Sequence, residues 1–157
     1  MELNESSVKK EDTDILFISE AHKAFYYEKL ALCRYQDVYH AALCYCLGIC
    51  HDTRRNVERI YDFKEGLVKP ECLTEGWQTS GSLPVCRLAF NLYCNNTPSV
   101  DEDTMSGEEC LKECRSYTVE DIFCCTYAPY FWEAVKIRYP EYAVYNNALH
   151  SALGSLD

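Results

Sequence analysis

Asp37-Val38-Tyr39-His40-Ala41-Ala42-Leu43-Cys44-Tyr45-Cys46-Leu47-Gly48-Ile49-Cys50 is the stretch on which the fold turns. Val38, Ala41, Ala42, Tyr45 and Ile49 recur at i, i+3, i+4, i+7 and i+11, the spacing of one helical face. Leu43, Cys46, Leu47 and Cys50 make the opposite face apolar as well. A helix apolar on all sides belongs inside a protein. Asp37 is suited to cap it. The reading is a central buried helix near 38–50, with the rest of the chain wrapped around it.

Working outward, Glu20 to Tyr35 carries Tyr26, Leu30 and Cys33 at i, i+4 and i+7, with no Gly or Pro between. Residues 1–19 read as a flexible acidic arm. Beyond the central helix, His51-Asp52-Thr53-Arg54-Arg55-Asn56 is polar. A helix follows through Val57, Ile60, Tyr61 and Phe63, capped by Asp52 or Thr53 and stopped at Gly66. Residues 64–82 read as a loop punctuated by Pro70, Gly76 and Gly81. Ser82 then caps an apolar helix to Cys94, with Pro84 in its first turn. Residues 95–108 form an acidic loop, the segment least equipped to order itself. Short helices are expected at Glu108–Arg115 and from Thr118 to Cys124, and a longer one at Pro129–Tyr139, ended by Pro140. Residues 143–157 are a tail. Strand signals are weak throughout. The expectation is an all-α, single-domain bundle of five to six helices spanning 20–142.

Composition fits that reading. The chain has 157 residues, 48% of them hydrophobic and 25% charged, which excludes a disordered or fibrous chain. The net charge is −10. That argues against direct nucleic-acid binding, which calls for a basic surface. The acidity is peripheral, concentrated in residues 1–20 and 95–121; the remaining residues are balanced. No apolar run approaches a membrane span. Met1-Glu2-Leu3-Asn4-Glu5-Ser6 has neither a basic n-region nor an apolar h-region. With an odd count of eleven cysteines, a cytoplasmic address with reduced thiols is expected.

Several groups bear on function. Thr79, Ser80 and Ser82 sit at a helix start, where unpaired N–H groups and the positive dipole end favour an anion. Trp77 and Gln78 precede them and are suited to stack on a base and hydrogen-bond to it. Against this stands an ordinary capped turn with its tryptophan in the core. Arg87 and Asn91 share a face of an otherwise apolar helix. A charge there must be paired or bind something, and a structural partner would be Asp52 or Asp62. Arg54, Arg55 and Asn56 add cationic and amide groups suited to phosphate, or else a solvated face. Cys46 with Cys50 and Cys110 with Cys114 are i, i+4 pairs that together would close a four-thiolate zinc site. Apolar packing is the simpler account of them, and neither metal nor cofactor is assigned. Thiol catalysis would need His22, His40, His51 or His150 beside a cysteine; Cys50-His51 has poor geometry for a dyad.

His51–Asn56, Tyr61–Phe63, Lys69–Leu73, Gly76–Ser82, Arg87–Tyr93 and Tyr127–Ala134 together resemble a family of small uncharacterised proteins from Gram-positive bacteria, their phages and other mobile elements. The resemblance covers about residues 20–142. It implies no activity, only the setting of an accessory protein. Three functions are then in view. The first is a non-enzymatic cytosolic protein with a pocket for a phosphorylated or nucleotide-like small molecule, sequestering a host immune signal. Its pocket would be built from Arg54, Arg55, Asn56, Trp77, Gln78, Thr79, Ser80, Ser82, Arg87 and Asn91. The second is an acidic protein that inhibits a host defence enzyme by protein–protein contact through its flanks and its many tyrosines. The third is an enzyme whose site the sequence does not reveal. A homo-oligomer is open in each case.

Overall fold

A computed structural model describes residues 15–143 and Gly154. Helices α1 (Glu20–Leu32), α2 (Val38–Ile49), α5 (Ser82–Cys94) and α8 (Ala128–Arg138) form the body of the fold. Shorter ones, α3 (His51–Arg55), α4 (Val57–Ile60), α6 (Gly107–Arg115), α7 (Val119–Phe123) and α9 (Pro140–Ala143), connect or flank them. The expected all-α architecture is present, and the excess over five or six helices comes from short segments. None of the described helices is long and apolar enough to cross a membrane.

Asp37 caps α2 as expected, its carboxylate accepting from the His40 backbone N–H. Every residue from Ala42 to Cys50 is buried. α2 packs most extensively on α5, then on α1 and α8, so all its faces are covered. The approach of α1 requires Gly48: a Cβ there would lie 2.6 Å from His22 Cδ2 and 2.9 Å from Phe25 Cδ1. His22 is fully buried at this contact. Its Nε2 lies 2.8 Å from the Tyr45 carbonyl, while Nδ1 accepts from the Ile18 N–H at 3.2 Å. Both roles suit the neutral ring. Burial pushes its pKa down from 6.5 to about 4, with Arg54 adding to the effect against the Tyr45 hydrogen bond. The Tyr45 hydroxyl donates to the Leu16 carbonyl, and the Phe17 ring packs on His22, Tyr26 and Tyr45. Residues 15–18 are thereby anchored on the bundle. Residues 1–14 of the expected arm, and the expected tail apart from Ala143 and Gly154, lie outside the described residues.

Several sequence expectations need correction. α1 ends at Leu32 rather than Tyr35, because Gln36 donates its side-chain amide to the carbonyls of Leu30 and Cys33 and closes the helix end. The single helix expected through Phe63 is broken at Asn56, whose side chain donates to the Asp52 carbonyl and competes with the backbone ladder. Tyr61–Asp62 is instead a strand, β1, paired antiparallel with β2 (Leu67–Val68). Asp62 builds the turn by accepting from the N–H groups of Lys64 and Glu65. Gly66 supplies the left-handed conformation there, at φ +72°, and stops no helix. A 3-10 helix, Pro70–Thr74, occupies part of the expected loop. Pro140 ends α8 but opens α9. The acidic loop is organised by Asp101, whose carboxylate accepts from the Asp103 N–H and the Thr104 hydroxyl. Ser106 and Glu109 form a capping box that starts α6.

Candidate functional site

The start of α5 is the first place to look for chemistry. Gly81 occupies the cap position with no side-chain capping bond, and Ser82 is the first helical residue rather than the cap. Ser82 is fully buried. Its hydroxyl donates to Gln78 Oε1 at 2.6 Å and accepts from the Thr79 N–H at 2.7 Å. Thr79 Oγ1 in turn accepts from the Ser82 N–H and lies within 3.4 Å of Asp52 Oδ2. Gln78 Nε2 donates to the Cys72 carbonyl. Gln78, Thr79 and Ser82 therefore come together, as the sequence suggested, but in a knot of mutual hydrogen bonds.

Arg87 is also brought into a network. Its Nε and Nη2 form a fork to the Glu113 carboxylate at 3.0 and 3.2 Å. Ser99 Oγ donates to Glu113 Oε1 at 2.7 Å and accepts from the Tyr117 hydroxyl at 2.6 Å. The partner expected at Asp52 or Asp62 is thus a glutamate on α6, beyond the acidic loop. Both side chains are largely shielded from solvent, so this pair ties α6 to the body of the fold.

The other residues of the expected pocket disperse. Arg54 donates to the carbonyls of Gly48 and Ile49 and caps the end of α2. Arg55 is exposed. Asn91 donates to the Asn96 carbonyl, and Asn56 is held at Asp52. Trp77 packs half-buried against the core, its Nε1–H reaching Glu75. Of the ten residues, Ser80 and Arg87 share a cleft of about 400 Å³, whose other walls include Glu120, Asp121 and Cys124. The two carboxylates there work against an anionic ligand.

None of the eleven cysteines is in a disulfide. Cys46, Cys50, Cys110 and Cys114 do not gather: among the described residues no group of three or more His, Cys, Asp or Glu is arranged to hold a metal. Three of the four histidines fall within the described residues. His40 Nδ1 is 2.7 Å from Asp37 Oδ1, and its Nε2 is 3.4 Å from the Tyr93 hydroxyl. Tyr93 donates to the Gly66 carbonyl and lies 3.1 Å from the Tyr61 hydroxyl. Burial raises the pKa of both phenols. This network binds the hairpin to α2 and α5. His150 is outside the described residues.

The surface that sequence reasoning missed lies on α8 and α9. Trp132 is 52% exposed and Tyr142 is 83% exposed. With Val135, Lys136, Tyr139 and Ala143 they line an open hollow of about 550 Å³. The Phe123 ring packs behind Trp132 at 4.4 Å between centroids. Arg138 supports the other side. Its guanidinium is stacked 3.8 Å from the Tyr39 ring and 4.5 Å from the Tyr139 ring. Its Nε donates to the Leu92 carbonyl and its Nη2 to Asn95 Oδ1, at the C-terminal end of α5. With no carboxylate paired to it among the described residues, this buried cation is satisfied by rings, carbonyls and a helix dipole. The signal in the sequence was the run Tyr127-Ala128-Pro129-Tyr130-Phe131-Trp132, which has more aromatic side chains than one helix face can bury.

The fold is a small helical domain in which the polar residues at the start of α5 are paired with one another and an aromatic face on α8 and α9 is turned outward. The chain belongs to a family of unknown function, DUF6075, whose profile matches residues 12–151. No curated protein and no solved structure gives a significant match.

Proposed function

We propose that this protein is a non-enzymatic binding protein that acts by protein–protein contact, through the aromatic face of α8 and α9. One observation carries the reading: Trp132 and Tyr142 are exposed around one hollow, with Phe123 packed behind Trp132 and Arg138 stacked on Tyr139 of the same wall. Exposed aromatic patches mark interaction sites. Trp and Tyr anchors held in place before binding supply most of the energy of a contact. The −10 net charge favours a partner with a basic rim. In the mobile-element setting that the sequence resemblance implies, that partner is a host defence enzyme.

The pocket for a phosphorylated small molecule is the weaker reading. Its hydroxyls and its central arginine already have partners within the chain, and the cleft at Arg87 carries two further carboxylates. The test is affinity purification from the host in which the protein is expressed. Trp132→Ser and Tyr142→Ser should lose a defined stoichiometric protein partner that Arg87→Ala retains. A co-purifying molecule of nucleotide size, lost on Arg87→Ala and kept by Trp132→Ser, would replace this reading with the pocket.

A further inference from the structure

Two buried thiols meet where α1 hands over to α2. Cys33 is the C-cap of α1, and Cys44 sits in the second turn of α2. Their sulfurs are 3.6 Å apart. A disulfide has an S–S length of about 2.05 Å, so closure asks for a movement of about 1.5 Å. Cys44 is fixed in the core helix. Cys33 lies past the last helical residue, with extended φ and ψ; its backbone is tied to Leu30 and Gln36, while its thiol has a 3.4 Å contact to the Lys29 carbonyl besides Cys44. The side able to move is therefore the side at the rim.

From this geometry we infer that Cys33 and Cys44 are a peroxide-reactive dithiol that closes to a disulfide and staples α1 to α2. The chemistry balances with a hydroperoxide as oxidant. The Cys33 thiolate attacks one peroxide oxygen, the O–O bond breaks, and the product is a Cys33 sulfenic acid with one water. The Cys44 thiolate then attacks that sulfur, the S–O bond breaks, and a second water leaves. Each thiol gives up one proton to a departing water, the two sulfurs lose two electrons together, and hydrogen peroxide is reduced to two waters.

The order of events follows from the surroundings. Cys33 is 5% exposed and Cys44 2%, so both are buried and the oxidant the pair takes is a small one such as hydrogen peroxide. The contact between the two thiols lowers the pKa of Cys33, while the same contact and burial push Cys44 up. Cys33 is the attacking thiol and Cys44 the resolving one. The free thiols of Cys72 and Cys86 also share a hydrogen bond, but both are fully enclosed in the core. Closure would also move the Cys33–Gln36 turn, and Gln36 lines an apolar groove of about 500 Å³ between α1, α2 and α8. Oxidation at the core thereby reaches the surface.

The test uses the full chain with Cys110, Cys114, Cys124 and Cys125 changed to Ser, positions that are exposed or half-buried. After hydrogen peroxide, the intact mass should fall by two hydrogens and return on adding dithiothreitol. A non-reducing tryptic digest should join peptide 30–34, which carries Cys33, to peptide 35–54, with fragmentation assigning the bond to Cys44 rather than Cys46 or Cys50. The Cys33→Ser variant should lose the bond and leave Cys44 open to alkylation after unfolding. The inference is overturned if Cys33 alkylates fully after peroxide, if it ends as a sulfinic acid, or if the bond joins Cys72 and Cys86 instead. Folding of each variant is read independently from its far-UV circular dichroism.

Discussion

The turn Gln78–Ser82 and the face of α8 are opposites. The turn holds the residues whose chemistry invites a ligand, and the fold uses them on one another. The face holds residues whose chemistry invites burial, and the fold leaves them in water. Hydroxyls and amides at a helix start are satisfied cheaply by local partners, because an i, i+3 or i, i+4 neighbour is always within reach. A tryptophan and a tyrosine left exposed have no such local remedy. The proposed contact therefore rests on exposed aromatic area rather than on polar residue type.

His22 is held neutral in the contact between α1 and α2, with a pKa of about 4 in the folded protein against 6.5 in the unfolded chain. Between those values the unfolded chain binds the extra proton, so stability falls as pH falls from 6.5 toward 4 and is level above 6.5. The full loss is about 3 kcal/mol, at 1.36 kcal/mol per pH unit. Urea unfolding at a series of pH values measures it, and a His22→Gln variant should lose the slope. Gly48→Ala drives a methyl into the same contact and should cost about 2–3 kcal/mol by overpacking. A variant as stable as the parent would mean that the two helices do not approach as described.

Arg87→Ala removes the fork that ties α6 to α5. It leaves the Glu113 carboxylate half-satisfied by Ser99 and should destabilise by about 2 kcal/mol, with no change in binding. A stable variant that lost a ligand would reverse the roles of the two regions. Trp132→Ser should have the smallest effect on stability, within about 0.5 kcal/mol, because its ring is half in solvent. Its effect on partner binding should be about 2 kcal/mol or more.

What could be read in the sequence was what local rules decide. Asp37 caps its helix, and the doubly apolar run 38–49 is the core helix, because capping and periodicity act over a few residues. The hairpin was hidden because Tyr61 and Phe63 fit a helical spacing as well as a strand. Burial of Tyr61 against Tyr93 settles it, and that contact is long-range. Arg87 was rightly singled out as a charge that needs a partner. Its partner lies across an acidic loop, and no local pattern identifies which glutamate folds back. Ser82 looked like a cap because serine at that position usually is one; here Gln78 takes its proton instead. The stacking of Arg138 between Tyr39 and Tyr139 joins helices far apart in sequence, so the α8 face had no local signature beyond its surplus of rings.

The most direct measurement is native mass spectrometry of the protein and its Trp132→Ser and Arg87→Ala variants, each purified from the host under reducing conditions. The account predicts a complex with a second, different protein for the parent and for Arg87→Ala, and a bare chain for Trp132→Ser. A small bound mass of nucleotide size that survives Trp132→Ser and disappears with Arg87→Ala would contradict it.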